Sequence, residues 1–224
     1  MAWKLLATAD LHLGRSSTQV SATSVETSTR NIWTRIVDIA CKEQVDAVLL
    51  SGDIVDQENG FFEALNPLEE GFCLLGSAQI PVYMVAGTHE AEVLPQLVDY
   101  RQWENVHLLG KGGSWEAAIL DKAGQKLQIL GWSFPKSHYS EDPAKELDAL
   151  SLEAGIPSVG LLHGDLYDKQ SQYAPVDLQR LRAGPARAWV MGHIHKPASL
   201  ADTQPTVHYP GSPQPLSPKE RGMH

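Results

Sequence analysis

The chain has 224 residues, 42% hydrophobic and 20% charged, the proportions of an ordinary folded protein rather than a disordered or collagen-like one. Its 27 acidic and 18 basic residues leave a net charge of −9, and segment 43–99 holds eleven carboxylates without one Lys or Arg. That excludes a general binder of nucleic-acid backbones, whose affinity comes from clustered cations.

The N-terminal residues lack the long apolar core of a signal peptide, so residues 4–8 read as a first strand. The Ser/Thr-rich stretch 16–29 reads as a loop leading into a helix over 25–44, where Ile32, Ile36, Ile39 and Ala40 share one face. Residues 46–50 form a second strand. A helix over 61–75 follows, disturbed at Pro67, which has no backbone donor. Residues 81–86 are a third strand, and His107 falls within another. Segments 115–120 and 126–132 flank Asp121-Lys122-Ala123-Gly124 as a hairpin. Strands over 159–162 and 188–191 complete the pattern. The prolines after Tyr209 (Pro210, Pro213, Pro215 and Pro218) keep the tail extended. The alternation predicts a layered α/β fold with mixed sheets flanked by helices. One domain over 1–224 is expected. No apolar run nears the roughly 18 residues of a membrane helix. Cys41 and Cys73 match no disulfide framework or zinc module, so a reduced, cytoplasmic setting is expected.

Five of the nine histidines stand in polar clusters directly after predicted strands, where open α/β sheets place their ligands. In chain order the clusters are Asp10-Leu11-His12, Gly52-Asp53-Ile54-Val55-Asp56, Gly87-Thr88-His89-Glu90, His163-Gly164-Asp165 and Gly192-His193-Ile194-His195. Alternation along an extended chain puts Asp10 with His12, and His193 with His195, on common sides. Any one cluster arises readily by chance as a surface pair. Five together are costly to bury without a cation. Carboxylate and imidazole donors without thiolate suit manganese, iron or zinc in an open site. Six ligands are too many for one tetrahedral ion and divide between two ions, about 3.5–4 Å apart in such sites.

The ordered series Asp10-x-His12, Gly52-Asp53-x-x-Asp56, Gly87-x-His89-Glu90, His163 and Gly192-His193-x-His195 resembles the calcineurin-like metallophosphoesterase superfamily, over residues 10–212. Asp10-Leu11-His12-Leu13-Gly14, the Phe61-Phe62 helix and Tyr209-Pro210-Gly211-Ser212-Pro213 resemble its bacterial DNA-repair exonuclease branch, which contains the SbcD-type subunits. The resemblance implies that Asp10, His12 and His195 bind one metal and His163 and His193 the other, with Asp53 bridging. A hydroxide held between the metals is then the nucleophile. His89 acts on the phosphate as general acid or charge stabiliser, and Asp56 orients a ligand or the loop from behind. Two divalent ions, Mn2+ first among them, a DNA substrate and an ATPase-type repair partner follow from the same resemblance.

Two departures bear on these expectations. The family's third motif reads Gly-Asn-His, with the Asn amide as a ligand of the second metal; here Thr88 offers a shorter hydroxyl, and a weaker second site is expected. The branch also continues into a capping region, which is expected to be absent here. The remaining residues have blander readings: His107, His138 and His224 as structural or solvated, and His208 as distant from the site. Arg180, Arg182 and Arg187 read as ordinary surface cations, Cys41 and Cys73 as core thiols, and Trp33 and Trp132 as packing residues. The acidic stretch reads as solvated except for Asp53. A phosphatase or small-molecule phosphodiesterase, and a metal-poor regulatory subunit, remain open alternatives to a nuclease.

Overall fold

The computed structural model describes residues 2–15, 28–201 and 204–216, without the side chains of 57–61. Most of the Ser/Thr-rich stretch, Pro218 and His224 lie outside the described residues.

Strand β2 (Ala47–Ser51) shows how the layers arise. All five residues are buried. Val48 and Leu50 pack with Trp33 and Ile36 of helix α1 (Thr29–Glu43) and with Leu68 and Phe72 of helix α2 (Gln57–Ser77). Alternate residues Ala47 and Leu49 face the other way, onto Ile129, Leu161 and Val190 of a second sheet. Period-two alternation of a strand apolar on both faces therefore seats it between helices and another sheet.

The first sheet has the order β1 (Leu5–Thr8), β2, β3 (Val82–Val85), β4 (Val106–Leu108), all parallel. Helix α3 (Val93–Arg101) connects β3 to β4. The second sheet contains β5 (Trp115–Lys122), β6 (Gln125–Trp132), β7 (Ser158–His163), β8 (Ala188–Gly192), β9 (Ala198–Leu200) and β10 (Thr206–Tyr209), in the order β5-β6-β7-β8-β10-β9. Its central strands are parallel and its two outer pairs antiparallel. On the far side of this sheet, Trp132, Trp189 and Met191 pack with Leu147 of a 3-10 helix (Pro143–Ala149) and Leu181 of helix α4 (Leu178–Ala183).

The fold is thus the expected α/β arrangement of mixed sheets flanked by helices, with instructive local differences. Helix α2 runs through Pro67 without a break. Ala64, Leu68, Phe72 and Leu75 are fully buried on one face, and that packing outweighs the roughly 3 kcal/mol cost of an interior proline. The same geometry turns Cys73 outward, so it is exposed rather than a core thiol. The hairpin loop contracts to Ala123 and Gly124, both at positive φ, as a tight primed turn requires. Trp33 and Trp132 are buried, and Trp33 donates to the Pro67 carbonyl.

Candidate metal centre

The parallel strands β1, β2, β3, β7 and β8 release the five motif loops at one end, where the two sheets meet. Gly192 makes the approach possible: a Cβ there would lie 1.9 Å from the Ser51 carbonyl oxygen. That carbonyl accepts the His163 Nδ1 proton at 2.9 Å, while Ser51 Oγ donates to the Val190 carbonyl.

Asp10, His12, Asp53 and His193 all have positive φ (53°, 45°, 49° and 94°). Non-glycine residues occupy this region at a cost and collect at functional sites. This corrects the alternation argument. Asp10 and His12 converge through a left-handed kink, not along an extended strand, with Asp10 N–H on the Gly52 carbonyl and His12 N–H on the Asp53 carbonyl. His193 and His195 diverge: the His193 ring packs on His163, whereas His195 Nε2 lies 3.3 Å from His12 Nε2.

Asp53 occupies the middle. Its Oδ1 accepts the His89 backbone N–H at 3.0 Å, and the Thr88 hydroxyl lies 3.3 and 3.4 Å from its two oxygens. Its Oδ2 faces His163 Nε2 at 3.4 Å, His12 Nε2 at 3.7 Å and His89 Nε2 at 4.0 Å. A Cβ at Gly87 would strike Asp53 Oδ1 at 2.3 Å, so a glycine there lets the third loop close on the carboxylate. Asp10, His12 and His195 present ligand atoms within 4.8 Å of one another, as do Asp10, Asp53 and His163. His193 joins from the rim. Its backbone N–H bonds both Asp10 oxygens and its Nε2 lies 4.0 Å from Asp165. Asp56, fully buried, faces Nδ1 of His12 at 4.0 Å, Nδ1 of His89 at 3.9 Å and Nε of Arg15 at 3.9 Å.

The electrostatics suit a cation at the centre of the cluster. Burial pushes His12 down to about 3; burial, reinforced by His163, takes His193 to about 4, so both imidazoles are neutral. Burial raises Asp10 to about 6, against the pull of His163 and His195. Burial alone would raise Asp53 as well, but His163, His12 and His89 hold it well below the usual carboxylate range. Burial likewise opposes charge on His163, yet Asp53 and Asp10 raise it to about 9. Its buried Nε2 makes no hydrogen bond and points at the cluster, while Nδ1 is committed to Ser51. This is how protein partners fix the tautomer of a metal-binding imidazole. Two carboxylates and four imidazoles without thiolate suit borderline divalent ions.

Other site features had weak or no sequence signals. Glu90 is fully buried, accepts the Gly87 N–H at 2.9 Å and is pushed by burial to about 8. With Asp56 it shows that the acidic stretch is not solvated everywhere but Asp53. Tyr209 donates to the Gly164 carbonyl at 2.8 Å and accepts from Leu166 N–H. Ser212 Oγ reaches the Asp10 carbonyl, and its N–H the His195 carbonyl. The Tyr-Pro-Gly-Ser motif therefore braces three of the loops from behind. His138, exposed as expected, and Tyr173 stand beside His89 and Thr88 along one cavity. His107 stacks on Tyr83, His208 pairs with Ser199, and Arg180 with Asp142. Arg187 lies at the opposite end of the sheet, bonded to Ser158 at the start of β7.

Residues 4–197 match the family model for calcineurin-like phosphoesterases. The Bacillus subtilis metallophosphoesterase YhaO is 31% identical over 84% of this chain and 46% of its own length. The SbcD component of the nuclease SbcCD from the same organism is 22% identical over 98% of this chain and 63% of its own. This chain therefore spans about half to two thirds of those relatives. Among solved structures, the calcineurin-like phosphoesterase YfkN of Bacillus subtilis superposes with a TM-score of 0.60 at 12% identity, over 94% of this chain and 81% of that one. A dimetal phosphatase of Danio rerio gives 0.57 at 12% identity, over 92% and 86%. With the family model spanning most of the chain and the metal-ligand geometry in place, this protein belongs to the calcineurin-like phosphoesterases.

Proposed function

We propose that the chain is a divalent-metal-dependent phosphodiesterase acting on DNA, an exo- or endonuclease core with residues 1–224 as one catalytic domain. The observation that carries the reading is Asp53 Oδ2, placed between His12 on one side and His163 on the other. A carboxylate in that place would be shared by two ions. Asp10, His12 and His195 would hold the first ion and His163 and His193 the second; the donor set suits manganese, iron or zinc, and the resemblance puts manganese first. When bound, such ions neutralise phosphoryl oxygens and bring the pKa of water toward neutrality. The protein supplies the rest. His89, about a third exposed, stands at the rim with its Nδ1 toward Asp56 and its Nε2 toward the centre. It protonates the leaving oxygen from Nε2, and Asp56 holds its ring in place.

The DNA assignment is supported by the likeness to the SbcD component of SbcCD along nearly the whole chain. The charge of −9 argues that the isolated chain grips duplex weakly and that an ATPase-type partner supplies the cations. No described helix is long and apolar enough to cross a membrane, and a cytoplasmic setting accords with the cysteine usage.

The test is hydrolysis by the purified chain with added manganese, comparing single-stranded DNA, duplex DNA, a cyclic nucleotide and an aryl phosphate diester. Cleavage of the polymers is expected. Turnover of small esters alone overturns the nuclease reading in favour of a small-molecule phosphodiesterase, and no turnover at all overturns the catalytic one.

A further inference from the structure

Two segments, one of them running on from the His163-Gly164-Asp165 motif, meet beside the metal-ligand cluster. The turn at 135–139 is fastened to the loop at 164–176 by Tyr139 N–H on the Gln172 carbonyl (2.8 Å) and Ala174 N–H on the Tyr139 carbonyl (2.7 Å). With the Gly87 turn they border an open cleft of about 370 Å³ lined by Thr88, His89, Glu92, Ser137, His138 and Tyr173, among others. This is the small end of the range for small-molecule sites.

The Tyr173 ring lies 5.2 Å from the His193 ring and 5.5 Å from the His138 ring, tilted 39° and 32° to them. It is fixed relative to the centre, yet the residue keeps 37% of its surface accessible. Among the described residues no Lys or Arg lines this cavity, and Glu92 adds a carboxylate. Such a lining repels a second phosphate and accepts a neutral aromatic group. Ser137, His138 and Glu92 offer donors and acceptors around the ring. A groove that tracks a strand needs cations along its length; this one has an aromatic face and room for a single unit.

We propose that the cavity seats the nucleobase of the one nucleotide joined to the phosphate under attack, against the exposed part of Tyr173, with His138 beside that ring on the same border of the cavity. The assignment rests on the phosphodiesterase reading and narrows its substrate to nucleoside-bearing esters. Tyr173 becomes a specificity-determining residue.

Three esters with one leaving group test it in manganese: the 4-nitrophenyl esters of thymidine 5′-phosphate, of thymidine 3′-phosphate and of methyl phosphate. One thymidine isomer should exceed the methyl ester at least tenfold in kcat/KM. Tyr173→Ala should cut that preference by about 5- to 150-fold, the range that one base stacked on an aromatic side chain is worth. Tyr173→Phe should keep it, and His138→Ala should lower it less. Equal losses on all three esters would mean that Tyr173 merely supports His193, and would overturn the proposal.

Calorimetry of the two thymidine monophosphates and methyl phosphate, on the manganese-loaded parent and variants, separates the two readings. If no ester is cleaved but a thymidine monophosphate binds more tightly than methyl phosphate in a Tyr173-dependent way, the pocket stands and the phosphodiesterase reading falls. Cleavage and binding without nucleoside preference overturn the pocket alone. Neither cleavage nor preferential binding overturns both.

Discussion

The two halves of the metal centre are built differently although one carboxylate joins them. On one side Asp10, His12 and His195 converge closely; Asp10 and His12 are buried, with Ser212 bracing the backbone of Asp10 and His195. On the other, His163 is buried and anchored on Ser51, but His193 lies on the rim against Tyr173, and the Thr88 hydroxyl is turned onto Asp53. On the proposed assignment, the first half is a preformed pocket for an ion, and the second is open toward the cavity with Thr88 at the position where the resemblance implies an Asn amide. Pre-organisation lowers the ordering cost of binding, so the first ion should bind tightly, while the second should be exchangeable and close to the substrate.

Removing the shared member should have the largest effect. Asp53→Ala is expected to abolish hydrolysis and both ions, whereas His193→Ala should abolish hydrolysis but strip chiefly the outer ion. Metal analysis of the folded variants reads the difference. If Asp53→Ala kept two tight ions and normal rates, the halves would not be joined through Asp53.

His89 belongs to neither half, and its loss should spare metal content. His89→Ala is expected to slow hydrolysis by about 10²–10⁴-fold, the usual worth of positioned general acid–base help. A nitrophenolate leaving group, which needs no proton, should recover part of the loss. Metal depletion in this variant would make His89 a ligand, and equal defects on good and poor leaving groups would leave it a charge stabiliser.

The metal-free protein should reveal the halves through pH. His163 is raised from 6.5 to about 9, so its stabilisation is complete below about pH 6.5 and lost as pH rises through about 9. Asp10, raised from 3.8 to about 6, takes up more protons folded than unfolded, so stability also falls with pH across that interval. Asp53, held low, acts oppositely, and its contribution is lost only in acid. His12 and His193, held low, also act oppositely up to about pH 6.5, and Glu90, raised to about 8, adds to the fall above it. With a chelator present, the urea midpoint should therefore be highest near pH 6.5 and fall toward pH 9. Manganese should abolish that fall by taking His163 Nε2 from the proton. A flat profile without metal would mean that the His163–Asp53 pair does not carry this charge.

The five motif loops were legible because ligand chemistry restricts residue types and strand ends restrict where they occur. The sheets were legible because buried strands such as 47–51 are apolar at every position but the last. Helix α3 was not, since it is short and Pro95 reads as a breaker, though the first helical turn tolerates proline. Nor were the backbone kinks at Asp10, His12 and His193: positive φ at Asp or His leaves little trace in a sequence, and Gly192 beside His193 does not say which residue takes it. His138 and Tyr173 stayed hidden for a different reason. They come from segments 35 residues apart in the chain (138 to 173), joined by backbone bonds that any residues could make. Long-range backbone pairing of that kind has no local pattern to read.

The smallest effect concerns Thr88 and bears most directly on the asymmetry. Its hydroxyl lies 3.3 and 3.4 Å from the two oxygens of Asp53, so its proton is spent on the shared carboxylate. Being β-branched, Thr88 has few χ1 choices and does not readily turn its oxygen to an ion. An Asn at this position reaches farther and offers a carbonyl oxygen, but gives up the hydroxyl bond to Asp53. Thr88→Asn should tighten the outer ion by about tenfold, the lower end of what ligand-shell changes are worth, and lower the manganese concentration needed for half-maximal rate. The inner ion should change less, since Asp10, His12 and His195 are untouched and only the shared Asp53 loses a hydroxyl partner. Manganese titrations of both proteins, followed by calorimetry, separate the two sites. Identical occupancy and rates in the two proteins would show that the open half already binds its ion as tightly as the closed one.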